Sequence, residues 1–182
     1  MNLREAEAKS IRDFVQKAAD AGYLSGRVLD YGCGRQPYRD IVEAAGGTYF
    51  GYDQTCWPAN VSGEDVGEHP TNVMIREGRF SAVLMTQVIQ YIPMEDLMGG
   101  MTQGGYHHFW TPIKDWSDIL VMTYPTNWPE VEPEDLHRFT QTGMKRLLTE
   151  AGFEILEHEW RHGIRSMTGE SFAIGYGVIA RA

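Results

Sequence analysis

The sequence predicts a three-layer α/β sandwich on a mostly parallel sheet, and three observations carry that prediction. Residues 27–53 run as strand, glycine turn, helix and strand in under thirty positions, which is a βαβ unit. Residues 80–86 (FSAVLMT) and 119–124 (ILVMTY) are short apolar runs of the kind buried on both faces of a parallel sheet. Residues 11–18 and 144–151 carry apolar side chains at helical spacing, as helices covering such a sheet require. The 182 residues suit one domain spanning 1–182, with enough chain to bury a proper core.

Taken in order, residues 3–21 form the first helix, with Ile11, Phe14, Val15 and Ala18 on one face and Gly22 as its stop. A strand over 27–31 (RVLDY) leads into Gly32-Cys33-Gly34, and 37–45 (PYRDIVEAA) follow as a helix closed by Gly46-Gly47. The second strand, 48–52, ends at Asp53. Residues 54–72 hold Trp57-Pro58, Gly63, Gly67 and Pro70, and read as loop with at most a short strand near Val61. Residues 98–112 hold four glycines among many aromatics and take no element. Pro125, Pro129 and Pro133 punctuate a loop, after which Thr140 caps a helix carrying Met144, Leu147, Leu148 and Ala151 on one face. Residues 153–160 and 172–180 close the sheet as two strands.

Composition excludes several classes. The apolar fraction of 42% is globular, no run approaches the ~18 apolar residues of a membrane span, and residues 1–10 lack a signal-peptide core. Two cysteines are no disulfide framework, so a reducing cytoplasm is expected. A net charge of −9 argues against a broad nucleic-acid face. The histidines His158 and His162 fall at a strand end, where i, i+4 side chains do not converge, and no metal set is expected.

The chemistry sits in Asp30-Tyr31-Gly32-Cys33-Gly34. Two glycines let a ligand approach the backbone, and the following helix start offers free N–H groups. Asp53, 19 residues after Gly34, stands where a carboxylate takes both hydroxyls of a ribose. The third glycine of a dinucleotide fingerprint is replaced by Pro37.

The pattern Val-Leu-Asp-x-Gly-x-Gly resembles motif I of the class I S-adenosylmethionine-dependent methyltransferases, in particular the small type 11 group. Residues 80–93 (FSAVLMTQVIQYIP) resemble that family's fourth strand and the helix start after it, and His137-Arg138-Phe139-Thr140 with 147–154 (LLTEAGFE) resemble the segment before its sixth strand. Ser81 and the pair Gln90-Tyr91 depart from the family pattern, as does residues 110–116 in place of its turn before the fifth strand. The resemblance implies a Rossmann-like, seven-stranded, mostly parallel sheet with an antiparallel member in its C-terminal strand pair. It implies S-adenosylmethionine as cofactor and S-adenosylhomocysteine as product. Asp30, Gly32 and Gly34 would surround the methionine part, Asp53 the ribose, Asp65 (or Glu64) the adenine, and Gln87 and Val88 the sulfonium end, with Cys33 and Gln54 also cofactor-binding.

The acceptor side offers Tyr91, Tyr124 and His137 as catalytic candidates, with His107 and His108 behind them. Tyr124 ends a central strand, where open α/β sheets place ligands. Each also has a packing role open to it. The expected partner is a small-molecule substrate, with no membrane contact, in a monomer or homodimer. Two other readings share these residues: a protein of the same fold that cleaves or transfers another part of the cofactor, and a non-catalytic binding module.

Overall fold

The computed structural model describes residues 2–53, 67–98, 101–102, 105–106, 109–127, 135–165 and 171–182. Helix α1 (Leu3–Asp20) opens with a capping box, in which Asn2 and Glu5 each accept the other's backbone N–H. Strand β1 (Arg27–Tyr31), helix α2 (Arg39–Ala44) and strand β2 (Thr48–Tyr52) realise the βαβ unit. Helix α3 (Pro70–Glu77) and strand β3 (Ala82–Thr86) follow, then a single 3-10 turn over Ile89–Tyr91 and helix α4 (Met94–Met98). A two-residue hairpin, β4 (Met101–Thr102) with β5 (Gly105–Tyr106), precedes helix α5 (Trp110–Trp116). Strand β6 (Ile119–Pro125), helix α6 (Gln141–Glu150), and the long strands β7 (Glu154–Arg165) and β8 (Ser171–Arg181) complete the chain.

The main sheet runs β2-β1-β3-β6-β8-β7. Its first four strands are parallel, and β8 alone opposes its neighbours β6 and β7. The expected antiparallel member is therefore present in the last strand pair. The expected seven strands are not: the sheet has six among the described residues. Between Pro70 and Phe80 the chain forms α3 and its return loop, and among the described residues β2 is the edge strand. The strand expected near Val61 lies outside the described residues.

Side chains alternate across the sheet as the pleat demands. Val28, Leu84, Val121 and Ile179 face α1 and α2, where Ile11, Phe14, Val15, Ala18, Ile41 and Val42 bury them. Leu29, Val83, Met85, Met122 and Val178 face the other way, under α3, α5 and α6. That second layer contains Val73, Ile113, Trp116, Met144 and Leu148. Thr140 caps α6 as expected, accepting the Gly143 N–H at 3.0 Å. No helix among the described residues is long and apolar enough to cross a membrane.

Two helices are new relative to the sequence reading. Pro70 occupies the first position of α3, where a missing N–H costs nothing, rather than breaking the chain. Trp110 and Trp116 bracket α5 and are both buried, which places part of the glycine-aromatic stretch in the core.

Candidate functional site

Because β1, β2, β3 and β6 are parallel, the residues after each strand gather along one edge of the sheet. This is where open α/β sheets bind ligands. The turn after β1 is held by Gly32 and Cys33, whose N–H groups both donate to the Tyr52 carbonyl, at 2.8 and 3.1 Å. Gly32 has φ +75°, a conformation side chains resist, and a Cβ there would lie 2.3 Å from Val88 Cγ2. The turn thus touches the segment after β3. Gly34, also left-handed at φ +49°, donates its N–H to Asp53 Oδ2 at 2.7 Å. Gly32, Gly34, Asp53 and Val88 therefore converge, as the sequence placed them.

Asp30 lies beneath this turn and is fully buried. Tyr49 of β2 donates its hydroxyl to Asp30 Oδ2 at 2.6 Å, while Oδ1 has no partner among the described residues. Burial, helped by the nearby Asp53 charge and opposed by the Tyr49 hydrogen bond, pushes the Asp30 carboxyl up to about 7. Cys33 is buried, and desolvation followed by the Asp30 and Asp53 charges pushes its thiol up to about 12. It is a packed thiol, not a nucleophile. Gln54 and Asp65, with Glu64, lie outside the described residues.

Beyond β3, Gln87 adopts φ 56°, uncommon for a residue with a side chain and worth about 1–2 kcal/mol of strain. Its N–H donates to the Thr123 carbonyl of β6 at 3.0 Å, and its carbonyl accepts Gln90 Nε2 at 2.9 Å. Gln90 is buried, with Oε1 unpartnered. A buried acceptor without a donor costs about 1–3 kcal/mol. The Gln90 carbonyl accepts the N–H groups of Leu136 and His137, which docks the 135–140 segment on the 3-10 turn. There Arg138 grips Asp135 through both carboxylate oxygens, at 2.5 and 2.6 Å.

A cavity of about 220 Å³ opens beside these groups, lined by Arg4, Glu7, Gln87, Gln90, Tyr91 and Asp135 with Ala8, Ile11 and Pro125. One wall is α1, and a buried ion pair fixes it. Arg161 of β7 reaches Glu7 Oε1 at 2.7 Å, Ser10 Oγ at 3.2 Å and the carbonyls of Tyr124 and Tyr176 at 3.3 and 2.8 Å. Tyr91 lines this cavity.

Tyr124 does not. Its side chain is fully buried in the core, stacked on Tyr176, with its hydroxyl 2.6 Å from His158 Nε2. Burial and then the nearby Tyr176 hydroxyl drive its own hydroxyl well above the usual range. The expectation that a strand-end tyrosine faces the ligand is corrected here: the pleat turns Tyr124 toward α6. His137 packs on Phe139, and its buried Nε2 has no partner among the described residues. His107 and His108 lie outside the described residues. Among the described residues, no group of three or more His, Cys, Asp or Glu could hold a metal ion.

The sequence reading missed Tyr49, Glu7 and Arg161. A signal for Arg161 exists in β8: a Cβ at Gly175 would lie 1.9 Å from Arg161 Nη2, and one at Gly177 2.4 Å from Phe14 Cε2. Two glycines at alternate positions of one strand mark a face that something approaches closely.

The comparisons with known proteins agree with this geometry. A family model described as a methyltransferase domain matches residues 3–158. A SAM-dependent methyltransferase from Archaeoglobus fulgidus superposes with a TM-score of 0.63 at 15% identity, covering 94% of each chain. The magnesium protoporphyrin IX methyltransferase of Synechocystis, solved with SAM, gives a TM-score of 0.56 at 15% identity over 95% of this chain and 82% of that one. A structure from echinomycin biosynthesis, concerned with conversion of a disulfide bond into a thioacetal group, gives 0.60 at 15% identity over 92% and 80%. No curated protein matches the sequence significantly. With the family model spanning most of the chain, the protein belongs to the methyltransferase-domain family, and its fold is that of the S-adenosylmethionine-dependent methyltransferases it superposes on.

Proposed function

We propose that this methyltransferase acts on a small molecule, held in the cavity between α1, the 3-10 turn and the end of β6, with its cofactor over the Gly32–Gly34 turn. The convergence of Gly32, Gly34, Asp53 and Val88 at one edge of the parallel strands carries this reading. S-adenosylmethionine, when bound, supplies a methyl group activated by its sulfonium sulfur, with S-adenosylhomocysteine as product.

The residues present fit that cofactor. Asp30 Oδ1 is a buried acceptor without a donor, suited to the ammonium of an amino-acid moiety. Asp53 holds the Gly34 N–H with Oδ2, which places its carboxylate at the turn, where it would face the ribose hydroxyls. Gln87 and Val88 flank the sulfonium end. Cys33 contributes shape only, its thiol being turned into the protein.

The chain's own work is positioning. Alignment of an acceptor in line with an already activated methyl group is the main requirement, and the bonds of Gln87 to Thr123 and of Gln90 to Gln87 fix the floor on which it would rest. Tyr91 walls that floor. An acceptor that carries a proton needs a base, and His137, bonded through its backbone to Gln90 and with a free Nε2, is the candidate. The cavity lies below the ~300 Å³ of pockets for drug-sized ligands, which favours a small acceptor. The net charge of −9 favours it over nucleic acid. A buried free Cys33 is in keeping with a reducing compartment.

Calorimetric titration with S-adenosylmethionine and S-adenosylhomocysteine tests the assignment. Micromolar binding, about −8 kcal/mol, is expected for the wild type. Asp53→Ala should weaken it by about tenfold or more. Equal affinity in the two proteins would remove Asp53 from the cofactor site.

A further inference from the structure

We infer that the acceptor is a small carboxylic acid whose carboxylate pairs with Arg4 and whose methyl-accepting O–H or N–H faces Gln90; this rests on the acceptor cavity proposed above.

Charge carries the first half. The cavity is lined by one cation, Arg4, and two carboxylates, Glu7 and Asp135. Both carboxylates are already matched, Glu7 by the buried Arg161 and Asp135 by the two-pronged Arg138. Arg4 is exposed and has no ion-pair or hydrogen-bond partner among the described residues. Among the described residues these five groups sum to +1, in a chain of net charge −9. A guanidinium with no partner among the described residues, at the rim of a cavity, presents a planar fork of donors that fits a carboxylate in two-point geometry. A cationic acceptor gains nothing here, because each carboxylate would first have to release its arginine.

Polarity carries the second half. Gln90 is 3% exposed, and its Nε2 is fixed on the Gln87 carbonyl, so its amide cannot turn without losing that bond. The oxygen is thereby held as an acceptor, and no donor among the described residues reaches it. An O–H or N–H on the ligand supplies what is missing. Gln87 joins this amide to the strand end nearest the transferred methyl group, so the donor-bearing end lies inward and the carboxylate outward at Arg4. Ala8, Ile11 and Pro125 give apolar walls between the two ends, which suits a short hydrocarbon or aromatic spacer.

The test uses salicylate, 4-hydroxybenzoate and anthranilate, each beside its own carboxamide. Binding is measured by calorimetry on the full chain, with and without saturating S-adenosylhomocysteine. At least one acid should bind about tenfold more tightly than its amide. Arg4→Met should reduce that acid to the level of the amide while leaving S-adenosylhomocysteine affinity unchanged. Gln90→Leu should weaken acid and amide alike. Equal binding of acids and amides, no acid binding at millimolar concentration, or a preference that survives Arg4→Met would each overturn the inference. Failure of S-adenosylhomocysteine to bind strikes the cofactor assignment instead, because the acid–amide comparison is also read without it.

Discussion

Arg161 and Glu7 meet at 2.7 Å although 154 positions separate them, and the arginine side chain has no exposed surface. The contact exists because residue 175 has no side chain: a Cβ there would stand 1.9 Å from Arg161 Nη2 and 2.9 Å from the Tyr124 carbonyl. Gly175→Ala should therefore expel the guanidinium and strand Glu7. A buried pair broken on one side costs about 3–5 kcal/mol. For a chain of this size, the melting temperature should fall by roughly 6–20 °C. Arg161→Met should behave similarly, and Glu7→Gln combined with Arg161→Met should recover part of the loss, as measured by urea unfolding of the single and double variants.

Gly32→Ala combines a strained φ of +75° with a 2.3 Å approach to Val88 Cγ2. The expected loss is about 2–4 kcal/mol in stability, with S-adenosylhomocysteine binding abolished. Adding Val88→Ala should relieve the clash and leave the backbone strain, restoring stability only in part. Full recovery in the double variant would show that the left-handed turn matters little.

Asp30 predicts a pH dependence whose sign is fixed. Its carboxyl stands near 7 in the folded protein against 3.8 as its ordinary value, so the folded state holds the extra proton between those limits. Stability should therefore fall as pH rises from about 4 to 7. Asp30→Asn should flatten that slope, with its largest stabilising effect near pH 8 in thermal unfolding. An ammonium on the ligand favours the ionised carboxylate, so S-adenosylhomocysteine should bind more tightly at pH 8 than at pH 6 and release protons on binding at the lower pH. Calorimetry in two buffers of different ionisation enthalpy reads that release directly.

Tyr124→Phe separates packing from chemistry. The variant loses the 2.6 Å bond to His158, worth about 1 kcal/mol. Cofactor affinity should not change, since the hydroxyl faces α6 and β7. A tenfold drop in S-adenosylhomocysteine affinity would return Tyr124 to the site.

What the sequence made legible was whatever is local. Asp30, the two glycines and Asp53 belong to one βαβ unit, so their convergence follows from strand order and turn geometry alone. Tyr91 is in the same position, a few residues beyond β3. Helix α3 escaped because Pro70 is ambiguous in isolation: the residue that ends one helix begins another. Tyr124 was misplaced because strand position fixes depth in the sheet, whereas the face is set by a register that only the neighbouring strands define. Arg161 and Glu7 were out of reach, since each looks like an ordinary surface charge until β7 and α1 are brought together.

The fastening of α1 to β7 and β8 has a consequence for biosynthesis. A ribosome delivers α1 roughly 150 residues ahead of Arg161 and Gly177, its eventual partners. During that interval Ile11, Phe14, Val15 and Ala18 lack the part of their cover that β7 and β8 supply. Completing the docking of the first helix on β7 and β8 requires long-range closure, which is slow beside helix formation. Until then, the nascent chain presents an apolar stripe to whatever chaperone attends the exit tunnel.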